Sequence, residues 1–240
     1  MKLWQFWREK NFRFITGNWY DMDARQQILT SIREALKQPS HLPDETPREK
    51  LAGAVAYGGE TLEEMVRLFK AESIAVSSEC IEVASESEIP EKVAAILNEA
   101  GVNDISVSGG EVVDRIGNAL EERGIEVVRP QTLAGDDRKN VVAKIIVGLV
   151  DAPYAIADTA TLVAPLDGRS VQPYCLPEIL IAVVHAKSLL SNHFELFNTL
   201  SPEERKNMVL LTGPSRTADI EKILIIGAHG PRRFITFLIR

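Results

Sequence analysis

The chain has 240 residues, 45% hydrophobic and 25% charged, with a net charge of −7, which fits a globular α/β protein and excludes collagen-like, low-complexity and wholly disordered chains. The acidic balance argues against a nucleic-acid partner, which a clustered basic face would mark, and the longest apolar stretches, Val141–Val150 and Ile179–Val184, are far too short for a membrane span. Two cysteines, Cys80 and Cys175, supply neither a disulfide framework nor the four thiolates of an iron–sulfur cluster, so a reduced, cytoplasmic protein is expected.

Met1–Tyr20 holds all three tryptophans and seven of the fifteen aromatic residues, with Lys2, Arg8, Lys10 and Arg13 among them. These rings never form the continuous apolar run of a signal peptide. The segment reads either as a basic, aromatic arm for a partner or membrane surface, or as an unstructured extension. The second reading is adopted: residues 1–21 are a disordered extension, and 22–240 are a single domain whose part 22–75 is helical. Asp23 is placed to cap a helix through Leu36, with Ile28, Ile32 and Leu36 as its apolar stripe.

Gln38–Lys50, with its prolines, is a linker or surface loop. Thr61 and Glu64 form a capping box that opens a helix carrying Leu62, Met65, Val66 and Phe69. Strand and helix signals then alternate: Ile81–Val83, a helix over Glu91–Ala100, Ile105–Val107, a helix over Val112–Glu121, and Ile125–Val128. Strand–helix–strand units favour parallel pairing. Val141–Val150, Leu162–Ala164, Ile179–Val184, Met208–Thr212, Ile223–Ile226 and Phe234–Ile239 are further strand candidates, several with the consecutive apolar residues of strands buried on both faces. Ser201-Pro202-Glu203-Glu204 starts a short helix. The expected architecture is a three-layer α/β domain with a largely parallel sheet.

No dinucleotide, Walker, nucleophile-elbow or zinc-protease motif occurs, and His41, His185, His193 and His229 lack the spacing of a helical zinc pair, so no metal site is expected. The chemistry-bearing residues gather in the last third. Gly213-Pro214-Ser215-Arg216-Thr217-Ala218-Asp219 follows a strand. Gly213 allows close backbone approach to a ligand, and the residues after it can open a helix with unpaired N–H groups. With the Ser215 and Thr217 hydroxyls and the Arg216 guanidinium, these groups suit a phosphate or carboxylate. Asp219 fits only by binding a ligand hydroxyl or holding Arg216. The competing reading is a capped turn with Arg216 in a salt bridge. In Gly227-Ala228-His229-Gly230-Pro231, His229 either donates to an anion and moves a proton or is merely exposed in a tight turn. Asp158, Thr159 and Thr161 stand between apolar neighbours near strand ends, as does His185, and strand carboxyl ends are where α/β sheets collect ligands.

GPSRTADIE at Gly213–Glu221, followed by GAHGP at Gly227–Pro231, resembles the C-terminal hallmark of LUD-domain proteins, in particular the lactate utilisation protein C (LutC/YkgG) family. AIADTATL at Ala155–Leu162 is similar to a second stretch of that family, AIAETGTL, from which it departs with Asp158 for Glu and Ala160 for Gly. The resemblance covers about residues 22–240. It implies a NagB/RpiA/CoA-transferase-like, Rossmann-like fold, and a place in an iron–sulfur system that oxidises L-lactate to pyruvate. The clusters would sit in LutA-like and LutB-like partner subunits rather than on this chain. On this reading Gly213, Ser215, Arg216 and Thr217 hold a small anionic ligand, with Asp219, Thr159 and Thr161 nearby and His229 and Asp158 as the catalytic candidates. Two alternatives stay open: a free-standing enzyme on a phosphorylated or CoA-linked metabolite, and a non-catalytic assembly or regulatory subunit.

Overall fold

In the computed structural model the described residues are 24–37, 60–133, 140–165, 172–218, 224–227 and 229–240. The chain divides into two units, residues 1–54 and 55–240. The expected extension 1–21 lies outside the described residues. In the first unit, helix α1 (Ala24–Leu36) forms where the apolar spacing places it, and Ile28, Ile32 and Leu36 are exposed along it.

The second unit is organised by six strands: β1 (Glu79–Val83), β2 (Asp104–Val107), β3 (Glu126–Val128), β4 (Val147–Asp151), β7 (Ile179–His185) and β12 (Arg233–Ile239). They pair in the order β1-β12-β7-β4-β2-β3, every pair parallel. Alternation assigns their side chains to two cores. Val83, Ile105, Val107, Leu149, Ile181, Val183, Ile235 and Phe237 face one side. There they meet α3 (Ile89–Ala100), through Val93 and Leu97, and α4 (Glu111–Glu121), through Val113, Ile116 and Leu120. Val150, Leu180, Ala182, Val184, Phe234 and Leu238 face the other side, against Val66 and Phe69 of α2 (Leu62–Ala75) and against a second sheet.

That second sheet has the order β8-β5-β6-β9, made from β5 (Tyr154–Ile156), β6 (Thr161–Pro165), β8 (Leu189–Leu190) and β9 (Met208–Leu211). β5–β6 and β6–β9 are antiparallel and β5–β8 is parallel. The third layer therefore mixes helix and sheet, and the largely parallel three-layer expectation holds for the central sheet. A short helix, α5 (Gln172–Cys175), packs on β4 at Gly148, where an added Cβ would lie 2.5 Å from the Pro173 carbonyl oxygen and 2.7 Å from Pro177 Cγ. Helices α6 (His193–Thr199) and α7 (Pro202–Lys206) follow, both with side-chain N-caps, Asn192 and Ser201.

One strand expectation is corrected. Val141–Val150 is not a single strand: Val141 and Val142 end a helical turn, the Lys144 and Ile145 amides bond back to the Val141 and Val142 carbonyls, and the strand begins at Val147. Lys144 keeps its ammonium in water, and Val142 and Ile145 become buried at a helical three-residue spacing.

The sheet edge is tied by ions. Glu82 accepts from Lys70 and from Arg240, and Arg240 also makes a paired contact with Glu63. Arg233 bridges Glu79 and Glu99, holding the start of β12 to β1 and α3. The hydrogen bond from Lys70 holds Glu82 below the ordinary carboxylate value of 4.5, and the Thr61 and Ser201 capping boxes do the same for Glu64 and Glu204. Because the folded values are depressed, their stabilisation is complete above the unfolded value and fades as pH falls through the folded ones. The melting temperature is expected to drop below pH 4.5, and Glu82→Gln is expected to flatten that drop. An identical pH profile in the variant would contradict the assignment.

Candidate functional site

The turn after β9 behaves differently from its sequence expectation. Residues 214–218 open no helix. Arg216–Ala218 is strand β10, paired antiparallel with β11 (Leu224–Ile226). The expected anion cradle of helix N–H groups is therefore absent, because the Arg216–Ala218 amides enter a hairpin whose second strand lies further along the chain. Gly213 has φ +68, and a Cβ there would sit 2.7 Å from the Val76 carbonyl oxygen. Its backbone approaches the end of α2.

Ser215 is fixed by main-chain bonds on both sides: its amide donates to the Pro231 carbonyl at 2.8 Å, and its carbonyl accepts from the Gly227 amide at 2.8 Å. The two turns read separately from the sequence are thereby laced together. Gly230 lies so close that a Cβ on it would be 3.1 Å from Ser215 Cβ. Between the turns and the sheet lies a cavity of about 460 Å³, whose lining includes Gly213, Ser215, Arg216 and His229 from the expected set. Leu180 and Phe234, the second residues of β7 and β12, form part of its wall. The cavity thus sits at the amino ends of the central strands, opposite to the carboxyl-end placement that the fold class favours.

Arg216 reaches the C-terminus of α2. Its Nη2 donates to the Val76 carbonyl and, at 3.0 Å, to Ser77 Oγ. A cation suits this end of a helix. Ser77 is itself unusual, with φ +62 directly after the helix cap, and the Ser77 and Ser78 amides bond to Ile74 and Ser73 carbonyls in a C-terminal cap that glycine ordinarily fills. Ser77→Gly is expected to raise stability by up to about 1 kcal/mol by relieving the left-handed backbone, while loosening Arg216. Urea midpoints test the first effect, and a midpoint below that of the parent would refute it.

Asp158, Thr159 and Thr161 do not line the cavity. They occupy the β5–β6 hairpin and connect to it indirectly: buried Thr161 Oγ1 is 2.9 Å from Thr159 Oγ1 and 2.6 Å from Thr212 Oγ1, and Thr212 is a lining residue. The Asp158 amide donates to the Ser191 carbonyl at 3.3 Å, and its Oδ1 is buried without a hydrogen-bond partner among the described residues. Thr217 follows Arg216 in β10 and faces the other way. Asp219 lies outside the described residues. His185 ends β7 at the opposite rim, beside a separate cavity of about 690 Å³. The charges there are largely answered: Glu86 pairs with Arg115 and lies 3.7 Å from His185, and Arg240 pairs with Glu63 and Glu82.

The sequence reading missed Tyr174 and Cys175 of α5, together with Val76, as cavity walls. Cys175 is exposed, and partial desolvation shifts its thiol upward from the ordinary value. Among the described residues no group of three His, Cys, Asp or Glu side chains is placed to hold a metal ion.

Residues 66–239 match the family model of the LUD domain. The chain belongs to the LUD domain family. Along its length it is 24% identical to lactate utilization protein C of Bacillus pumilus, covering 90% of this chain and 96% of that protein. It is 25% identical to the uncharacterized protein YkgG of Escherichia coli K12, covering 91% and 99%. The crystal structure of a DUF162 family protein from Deinococcus radiodurans superposes with a TM-score of 0.58 at 18% identity, over 76% of this chain and all of that one, which establishes the shared fold. Within this LUD domain, Ala160 has φ +48. The glycine of the resembled AIAETGTL stretch suits that backbone, and here an alanine holds it. Among the described residues no helix is long and apolar enough to cross a membrane.

Proposed function

We propose that this chain is a LutC-like subunit of an iron–sulfur system that oxidises L-lactate to pyruvate, and that it binds a small anionic ligand between its two laced turns. The observation carrying the reading is the cavity that joins Ser215, Arg216 and His229, together with relatives named lactate utilization protein C that align over most of the chain. Arg216 is suited to meet the anion: Arg115, Arg129, Arg233 and Arg240 all pair with glutamates, whereas Arg216 bonds to a carbonyl and a hydroxyl. Its charge is uncompensated by any carboxylate among the described residues, and a ligand carboxylate forms strong charge-assisted bonds with guanidinium. Ser215 adds a hydroxyl. His229, exposed at the rim, offers an imidazole to donate to the anion or to take a proton from it.

Oxidation of lactate to pyruvate releases two electrons and two protons. With two cysteines in the whole sequence, this chain cannot itself ligate a four-thiolate cluster. The electron path is therefore assigned to LutA-like and LutB-like partners, and this chain to ligand binding and assembly in the cytoplasm. Deleting the gene in a strain without a substitute pathway is expected to abolish growth on L-lactate as sole carbon source. Complementation with Arg216→Gln is expected to fail although the variant accumulates and co-purifies with its partners. Unimpaired lactate growth after deletion would refute the pathway role. Full rescue by both Arg216→Gln and His229→Gln would refute the cavity's part in it.

A further inference from the structure

We infer that the anion received at Arg216 carries an apolar body much larger than a three-carbon hydroxy acid, in the class of alkyl or aryl carboxylates. This rests on the anion-site reading above and adds the class of ligand. The cavity lining is divided. Thr212, Ser215, Arg216 and His229 place polar atoms on the two turns, while Val76 at the end of α2 and Leu211 and the 38% exposed Leu210 of β9 present carbon, backed by buried Leu180 and Phe234. Among the described residues no aspartate or glutamate lines it. A guanidinium flanked by hydroxyls on one side and by leucine and valine carbon on the other selects an amphipathic anion, with the head on the guanidinium and the body on the leucines.

Size points the same way. A volume of about 460 Å³ falls within the ~300–1,000 Å³ of pockets that enclose drug-sized ligands. A three-carbon acid, with about six non-hydrogen atoms, would leave most of that space as water against hydrocarbon, the arrangement that the hydrophobic effect disfavours. An apolar body filling it would also exclude water from the guanidinium and strengthen the ion pair. The head is prepared for such a ligand: Nη2 is engaged by Val76 and Ser77, and neither Nε nor Nη1 has a hydrogen-bond partner among the described residues.

The test is a calorimetric titration of the full chain with straight-chain carboxylates, from pyruvate and lactate upward in length. Affinity is expected to rise about fourfold per added methylene until the cavity is full, and then to level. Arg216→Gln and, independently, the exposed His229→Gln should weaken every member of the series, Arg216→Gln by about tenfold or more, while leaving the dependence on length intact. Leu210→Gln should flatten that dependence and leave the three-carbon acids unchanged. Binding of lactate or pyruvate that needs Arg216 but does not improve with length would overturn the apolar-body inference and leave the anion site standing. Absence of binding across the whole series, or binding indifferent to both Arg216→Gln and His229→Gln, would overturn the anion site itself.

Discussion

Gly148→Ala is expected to destabilise the protein by about 3 kcal/mol, in the upper range for overpacking a tight core, and a marginal domain carrying it will accumulate poorly. The cause is local and rigid. Gly148 lies within β4, paired with Leu180 of β7 and Ser106 of β2, so its strand cannot shift without breaking two ladders. The atoms that a methyl would strike are a main-chain carbonyl at 2.5 Å and a proline ring at 2.7 Å, neither of which has a rotamer to escape into. Urea denaturation checks the value. A midpoint within experimental error of the parent would mean that α5 does not rest on β4 as described.

Gly213→Ala combines a stability effect with a functional one. The backbone at φ +68 costs an L-residue about 1–2 kcal/mol, and the contact with the Val76 carbonyl at 2.7 Å adds to it, for a total of roughly 2–3 kcal/mol. Moving this turn away from α2 also carries Arg216 away from Val76 and Ser77. Carboxylate affinity should therefore fall with stability, although the substituted residue bears no polar group. The outcome that contradicts this is a destabilised variant that still binds as tightly as the parent once folded.

These two positions show how far the sequence could be read. The buried parallel strands were legible because residues such as Ile179–Val184 and Phe234–Ile239 are apolar on consecutive positions, which only a strand covered on both faces needs. The capping boxes at Thr61 and Ser201 were legible because their chemistry is local. Strand β10 was not, since Arg216-Thr217-Ala218 carries too little apolar character to mark a strand and becomes one only by pairing with β11. The same limit applied to Gly213: the need for close approach was readable, but not that the approaching group would be Val76. The site residues divide likewise. The GPSR and HGP turns meet because main-chain bonds at Ser215 join them, whereas the Asp158 hairpin reaches the cavity only through hydroxyls at Thr161 and Thr212. The carboxyl-end rule drew attention to His185, and the chain places its most coherent polar cluster at the other end of the sheet.

The last strand in the sequence is inserted between the first and the seventh: β12 lies between β1 and β7, with Thr236 opposite both Cys80 and Ala182. During synthesis, β1 must wait for more than half the polypeptide to be made before it has a neighbour. Closure of the sheet therefore waits for distant pairings, which are slow to form and leave sticky edges open meanwhile. Nascent chains arrested before residue 233 should be protease-sensitive throughout β1 and β7, because the seven-residue strand Arg233–Ile239 is the element that joins them.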